Sequence, residues 1–299
     1  MKPCVFIHTN DKQMVGALVA EYALRRNSKR PDAFDVRIIQ QEHCAFFREY
    51  EGRRYLRDGA WRLWHNDDLQ SFTPLRFMPP ELMGFQGRAL VIDPDIFAVG
   101  DVWELLSRDM QGKAVLARRR AGWKKKTCWA SSVMLLDCAQ LSHWRCQADF
   151  ASLFEGKHDY SDWICLRCER EETLGLLEAE WNDFDHLTSR TRLLHNTRRW
   201  TQPWKTGLPV DFVPGDRVLG LPFLDRLMRL RREWFGDHAL LGRYVRHPDR
   251  KQEQFFFGLL RECVTRGVVS EAMLREEIAR NHVRHDAFEV LDRTPPLPA

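Results

Sequence analysis

The chain of 299 residues has no apolar run of about 18 residues, so no segment reads as a membrane-spanning helix. Its first residues, Met1-Lys2-Pro3 and then Cys4-Val5-Phe6-Ile7-His8, hold too short an apolar stretch for a secretory signal. They read instead as a first core strand, and a cytoplasmic location is expected. No glycine-rich phosphate loop follows that strand, which counts against nucleotidyl transfer. There is no internal repeat and no low-complexity tract, which excludes solenoids and arrays. Cys165-Leu166-Arg167-Cys168 has no second CxxC to complete a zinc site. Without a sign of secretion, the eight cysteines are expected to be free thiols, these two being incidental neighbours on a helix.

What remains is a globular composition, 44% hydrophobic and 29% charged, with a mean hydropathy of -0.47. The length allows one large α/β domain, or a domain with an appendage. The net charge of +4 hides two basic clusters. Arg118-Arg119-Arg120 and Lys124-Lys125-Lys126 flank Ala121-Gly122-Trp123, and Arg226, Arg229, Arg231 and Arg232 follow later. Each is either an anion-binding surface or a solvated charged face.

Val5 to His8 is followed by Thr9-Asn10-Asp11, a turn or cap cluster, and then by helical spacing with Met14, Leu18 and Tyr22 on one face. Phe34 to Ile39 is a second strand, so the order β-α-β predicts a parallel sheet with crossover helices. Residues 40–75 are polar, aromatic and irregular. Pro79-Pro80 marks a helix start. Arg88-Ala89-Leu90-Val91-Ile92 is a strand apolar enough to be buried on both faces. Further strands are expected at 114–117, 132–136 and 192–195. Residues 1–210 are expected to form one α/β domain and residues 211–299 a mainly helical extension, with Pro295 to Ala299 disordered.

Asp93-Pro94-Asp95 ends the buried strand. Burying unpaired carboxylates is costly, so this tripeptide needs a cation or a turn that exposes both acids. In open α/β sheets ligands sit beyond the carboxyl ends of strands, and a divalent metal there would bridge the acids to a diphosphate. A turn capping the next helix is the competing reading. His195 ends another apolar run and becomes a third ligand only if folding brings it beside the pair. Gln202-Pro203-Trp204-Lys205 adds an amide, an aromatic face and a cation.

Across residues 3 to 207 these segments, in their order, resemble glycosyltransferase family 8, a set of retaining enzymes of the GT-A fold. The segments are Phe6 to Asp11, Pro74 to Leu82 with Arg76, Arg88 to Leu105 with Asp93-Pro94-Asp95, Ala130 to Asp137, Tyr160-Ser161-Asp162, Glu180-Trp181-Asn182 and His195 to Trp204. The resemblance implies a mostly parallel, mixed sheet flanked by helices. It implies that Asp93, Asp95 and His195 hold Mn²⁺ or Mg²⁺, and that Thr9, Asn10 and Asp11 meet the uridine of a UDP-sugar. Arg76 would steer the diphosphate or sugar, and Ser131 and Ser132 lie on the strand along the donor sugar. Asp162 would hold sugar hydroxyls and Lys205 a phosphate. The chain departs from the pattern at Trp163, where many members carry glutamine, and at Gln202, where lysine is usual.

The activity implied is transfer of a hexose from a UDP-sugar to an acceptor hydroxyl on a lipopolysaccharide or other cell-surface glycan. The basic clusters suggest peripheral contact with an anionic membrane, and no nucleic-acid partner is expected. The alternatives are a nucleotide-sugar-binding protein altered at Trp163 and Gln202, and a nucleotidyltransferase.

Overall fold

Cys4, Val5, Phe6 and Ile7 are almost completely shielded from water, and around this strand the computed structural model builds its central sheet. The structure describes residues 1–121, 127–212, 227 and 242–298. Each large apolar side chain so buried stabilises by about 1.5–3 kcal/mol. The strands are β1 (Cys4–Thr9), β2 (Asp35–Gln40), β3 (Arg54–Arg57), β4 (Ala60–Leu63), β5 (Arg88–Ile92), β6 (Ile96–Ala98), β7 (Val115–Ala121), β8 (Thr127–Asp137), β9 (Leu174–Leu176), β10 (Asp183–Phe184) and β11 (Leu193–His195).

Six of them form a mixed sheet in the order β2-β1-β5-β8-β7-β9. β2, β1 and β5 are parallel, as the β-α-β order predicted. β8 runs antiparallel to both β5 and β7, so the sheet is not parallel throughout. β10, β11 and β6 make a separate small sheet. The region expected to be irregular contains the β3–β4 hairpin, turned by Asp58 and Gly59, both at positive φ. That pair is a two-residue turn signal, and the aromatic side chains Tyr55 and Trp64 beside it belong to the core.

The helix α1 (Met14–Arg26) forms as its spacing predicted, but Met14, Leu18 and Tyr22 are only half-buried. The face against the sheet is the smaller-residue one, Val15, Ala17, Val19 and Ala23. Small side chains let the helix approach closely. A Cβ on Gly16 would lie 2.6 Å from the Pro94 carbonyl oxygen.

One correction concerns sulfur. Cys128 and Cys165 form a disulfide, so the cysteines are not all free. Cys165 caps the Tyr160–Ile164 helix and Cys168 is an exposed free thiol beyond it. Toward the tail, Arg261 donates to the Thr294 carbonyl, and Leu297 covers Gly258 closely enough to fill the space of a Cβ. Glycine at 258 leaves the shallow seat that an apolar tail residue fills.

Two compact units exist, residues 1–67 with 71–195, and residues 68–70 with 196–299. The second contains helices Arg250–Thr265, Glu271–Ala279 and Ala287–Arg293. Lys124 to Lys126 and the cluster from Arg226 to Arg232 fall outside the described residues. No helix among the described residues is long and apolar enough to cross a membrane.

Gly16→Ala is expected to lower stability by about 1–3 kcal/mol through this overpacking and to displace the Pro94 turn. Thermal unfolding checks the first effect. Weakened Mn²⁺ binding with the fold retained checks the second.

Candidate metal centre

The Asp93-Pro94-Asp95 segment is a tight turn between β5 and β6, in which the Ile96 N–H donates to the Asp93 carbonyl at 3.2 Å. It does not cap a helix. Pro94 holds the second turn position, where its fixed φ suits the bend. β6 then pairs antiparallel with β11, and the register sets His195 opposite Ile96. This pairing brings together groups one hundred residues apart. His195 Nε2 lies 3.4 Å from Asp95 Oδ1 and 4.0 Å from Asp93 Oδ2.

The tautomer of His195 follows from its neighbour. Asn182 Nδ2 donates to Ser132 Oγ at 3.0 Å, which orients the amide and leaves its Oδ1 as an acceptor 2.8 Å from His195 Nδ1. Nδ1 therefore carries the hydrogen, and Nε2 is the atom that meets the two carboxylates. Asn182 is itself anchored: its carbonyl accepts from Arg118 Nη1, and that guanidinium covers Phe184 at 4.1 Å, whose ring meets His195 edge-on at 5.5 Å. Arg118 thus serves this scaffold.

The three donor atoms lie within 4.8 Å of one another, as a single cation requires. The separations of 3.4 and 4.0 Å are wider than a bound ion would leave between its ligands, so the side chains would draw in on binding. Two carboxylates and one imidazole suit Mn²⁺ or Mg²⁺, and an imidazole held through its other nitrogen is the usual support of a metal ligand.

Asp93 is only 7% exposed at its side chain. Burial alone would raise its carboxyl pKa, but the Arg76 guanidinium and a hydrogen bond from His8 outweigh this and hold it well below the usual range. Arg76 sits on the 3₁₀ turn Thr73–Phe77 and grips both carboxylate oxygens, Nε to Oδ1 at 2.9 Å and Nη2 to Oδ2. Its Nη1 donates to Ser131 Oγ at 2.9 Å, and that hydroxyl donates to the Ile164 carbonyl at 2.7 Å. His8 Nε2 lies 2.5 Å from Asp93 Oδ1. Burial pushes the His8 pKa down, so a neutral ring donates this bond.

Ser131 and Ser132 reach the centre because β8 breaks register: Ala117 pairs with Met134, but Arg118 pairs with Ala130. The intervening residues bulge away from β7, and bulges of this kind re-aim side chains. Thr9 and Asn10 are buried at the end of β1, with Asn10 Nδ2 donating to Ser71 Oγ at 3.2 Å, and the Asp11 N–H donates to Glu42 at 3.0 Å. Asp162 lies on the Tyr160–Ile164 helix, 42% exposed, and accepts from Arg167 at 2.6 Å. Trp163 turns into the core and stacks on Phe77 at 4.4 Å. Lys205 belongs to the second unit, fully buried with Nζ 2.7 Å from Asp211 and 5.7 Å from the Tyr244 ring.

The sequence reading assigned no role to His8 or Asn182, and it took Arg118 as part of a basic cluster that binds anions or forms a solvated face. The signal for His8 was a polar residue in an otherwise apolar strand. Asn182 and Arg118 had none that separates them from surface residues.

Asn182→Leu is expected to weaken Mn²⁺ binding about 10- to 100-fold by releasing the imidazole. Titration followed by electron paramagnetic resonance checks it.

No family model and no curated protein matches the sequence. Among solved structures, the chain is similar to the glycosyltransferase GlyE of Streptococcus pneumoniae TIGR4, with TM-score 0.49 and 16% identity over 90% of this chain and 64% of that one. It thus spans under two thirds of GlyE's length. The galactosyltransferase LgtC, in complex with donor and acceptor sugar analogs, gives TM-score 0.45 and 12% identity over 78% of this chain and 99% of that one. Mouse xyloside xylosyltransferase 1 gives TM-score 0.43 and 12% identity over 66% and 98%.

Proposed function

We propose that this chain is a metal-dependent glycosyltransferase of the GT-A type that moves a hexose from a UDP-sugar to an acceptor hydroxyl. The observation that carries this is the convergence of His195 Nε2, with its tautomer set by Asn182, on the carboxylates of Asp93 and Asp95. Such a group of donors is stable around a cation. A bound Mn²⁺ or Mg²⁺ supplies positive charge for a leaving diphosphate.

The protein's own groups do the rest of the work. Arg76, already beside Asp93, adds a guanidinium to the developing diphosphate charge. Thr9, Asn10 and Asp11 contact the uridine end, and the hydroxyls of Ser131 and Ser132 line the sugar. Asp162 accepts from hexose hydroxyls when it exchanges Arg167 for them. Lys205 serves a phosphate only by exchanging Asp211 for it. No side chain is assigned as nucleophile. Retention of configuration follows from the family 8 resemblance, with the leaving phosphate taking the acceptor proton. The acceptor is a cell-surface glycan, and exclusion of water leaves positioning as the main contribution of the protein.

Trp163 favours a second reading. Its ring lies in the core, so it presents no polar group where the family pattern has an amide. A nucleotide-sugar-binding protein without turnover would retain the metal centre and lack transfer.

Incubation with UDP-glucose or UDP-galactose and Mn²⁺ separates the two, with UDP release the expected result. Asp95→Asn should reduce that release by at least about 100-fold while circular dichroism stays unchanged. Full turnover in this variant would remove the metal assignment, and tight UDP binding without release would establish the second reading.

A further inference from the structure

Besides Arg118, three arginines, Arg76, Arg120 and Arg167, lie within electrostatic reach of one another, and two of them have carboxylates. Arg76 is held by Asp93 and Arg167 by Asp162. Arg120 has no ion-pair partner among the described residues. Its placement is set by the backbone. Arg120 lies opposite Cys128 in the β7–β8 ladder, Cys128 is joined to Cys165, and Arg167 follows two residues later. Strand alternation puts Arg120 on the face of β7 that carries Arg118. Arg120 is open to solvent on one side. The protein packed around its other side, and then repulsion from Arg76 and Arg167, push its pKa down. Crowding like charges is unfavourable in itself and becomes favourable when an anion enters.

The donor's diphosphate has its own groups in the proposed function, namely the metal ligands and Arg76. Arg167 lies beside Asp162, and the Cys128–Cys165 bridge ties the strand position opposite Arg120 to the same segment, where the hexose and its acceptor would meet. We propose that Arg120 and Arg167 form a subsite for an anionic group, a phosphate or carboxylate, on the acceptor. This deepens the glycosyltransferase reading and rests on it. Guanidinium recognises such groups through paired, charge-assisted hydrogen bonds. The acceptor is then an acidic glycan or a phosphorylated lipid-linked one, rather than a neutral sugar.

Calorimetry on the full chain, with Mn²⁺ and UDP present, tests this with glucose 6-phosphate, glucuronate and glucose as probes. The two charged sugars should bind at least about tenfold more tightly than glucose. Arg120→Glu should remove the preference, and Arg120→Gln should reduce it. Equal affinity for the three sugars, or an undiminished preference in Arg120→Glu, overturns the subsite. Vesicles of phosphatidylglycerol and of phosphatidylcholine separate the sources. Binding to the anionic vesicles that Arg120→Glu abolishes assigns the phosphate to a lipid headgroup, and preference for the soluble sugars alone assigns it to a glycan. UDP binding is read in the same titrations. Mn²⁺-dependent UDP binding without anion preference overturns the subsite alone, whereas anion preference without UDP binding overturns the donor reading alone.

Discussion

A carboxylate buried at the end of an apolar strand must be compensated, and the Asp93 side chain is compensated by two donors. Removing such a charge from water costs several kcal/mol even after relaxation. Arg76 answers with a two-point grip and His8 with a neutral N–H donor, while His195 turns its unprotonated nitrogen toward the acids, as a cation shared with them requires. Much of the first unit can be understood as the means of holding these groups at one place. β1 supplies His8, the turn before Pro79 supplies Arg76, and the pairing of β11 with β6 supplies His195.

The surrounding structure keeps that place rigid. Gly16 lets α1 touch the backbone of Pro94, so the turn carrying both acids is pressed against a helix. The break in the β7–β8 ladder directs Ser131 toward Arg76 and Ser132 toward Asn182. Asn182 passes the constraint to His195. Arg118 then secures Asn182 from the strand whose outer end carries Arg120. A basic run that looked uniform in sequence is therefore divided in use: one arginine is structural, and another keeps an uncompensated charge.

How far the sequence could be read depended on the range of the interactions involved. The apolar runs at Val5 to Ile7 and Ala89 to Ile92 identified buried parallel strands, because continuous apolarity has few other outcomes. The β3–β4 hairpin went unnoticed among polar and aromatic residues, although Asp58-Gly59 is a turn pair. The spacing of Met14, Leu18 and Tyr22 identified the helix, but not which face of α1 is buried, which carries Val15, Ala17, Val19, Ala23 and Leu24. The disulfide was invisible, since Cys128 and Cys165 meet only after β8 and the Tyr160–Ile164 helix have folded together.

By itself the sequence determined the strand ending in Asp93-Pro94-Asp95, the turn that Pro94 imposes and the expectation of a cation at two adjacent acids. These are consequences of local chemistry: chain stiffness, apolar runs and the cost of burying charge. Only the tertiary structure decided that His195 completes the group, that Asn182 chooses its tautomer and that Arg120 stands without a counter-charge among the described residues. Those outcomes depend on strand register between segments far apart in the chain, and a one-residue slip in β11 would have turned His195 away from the acids.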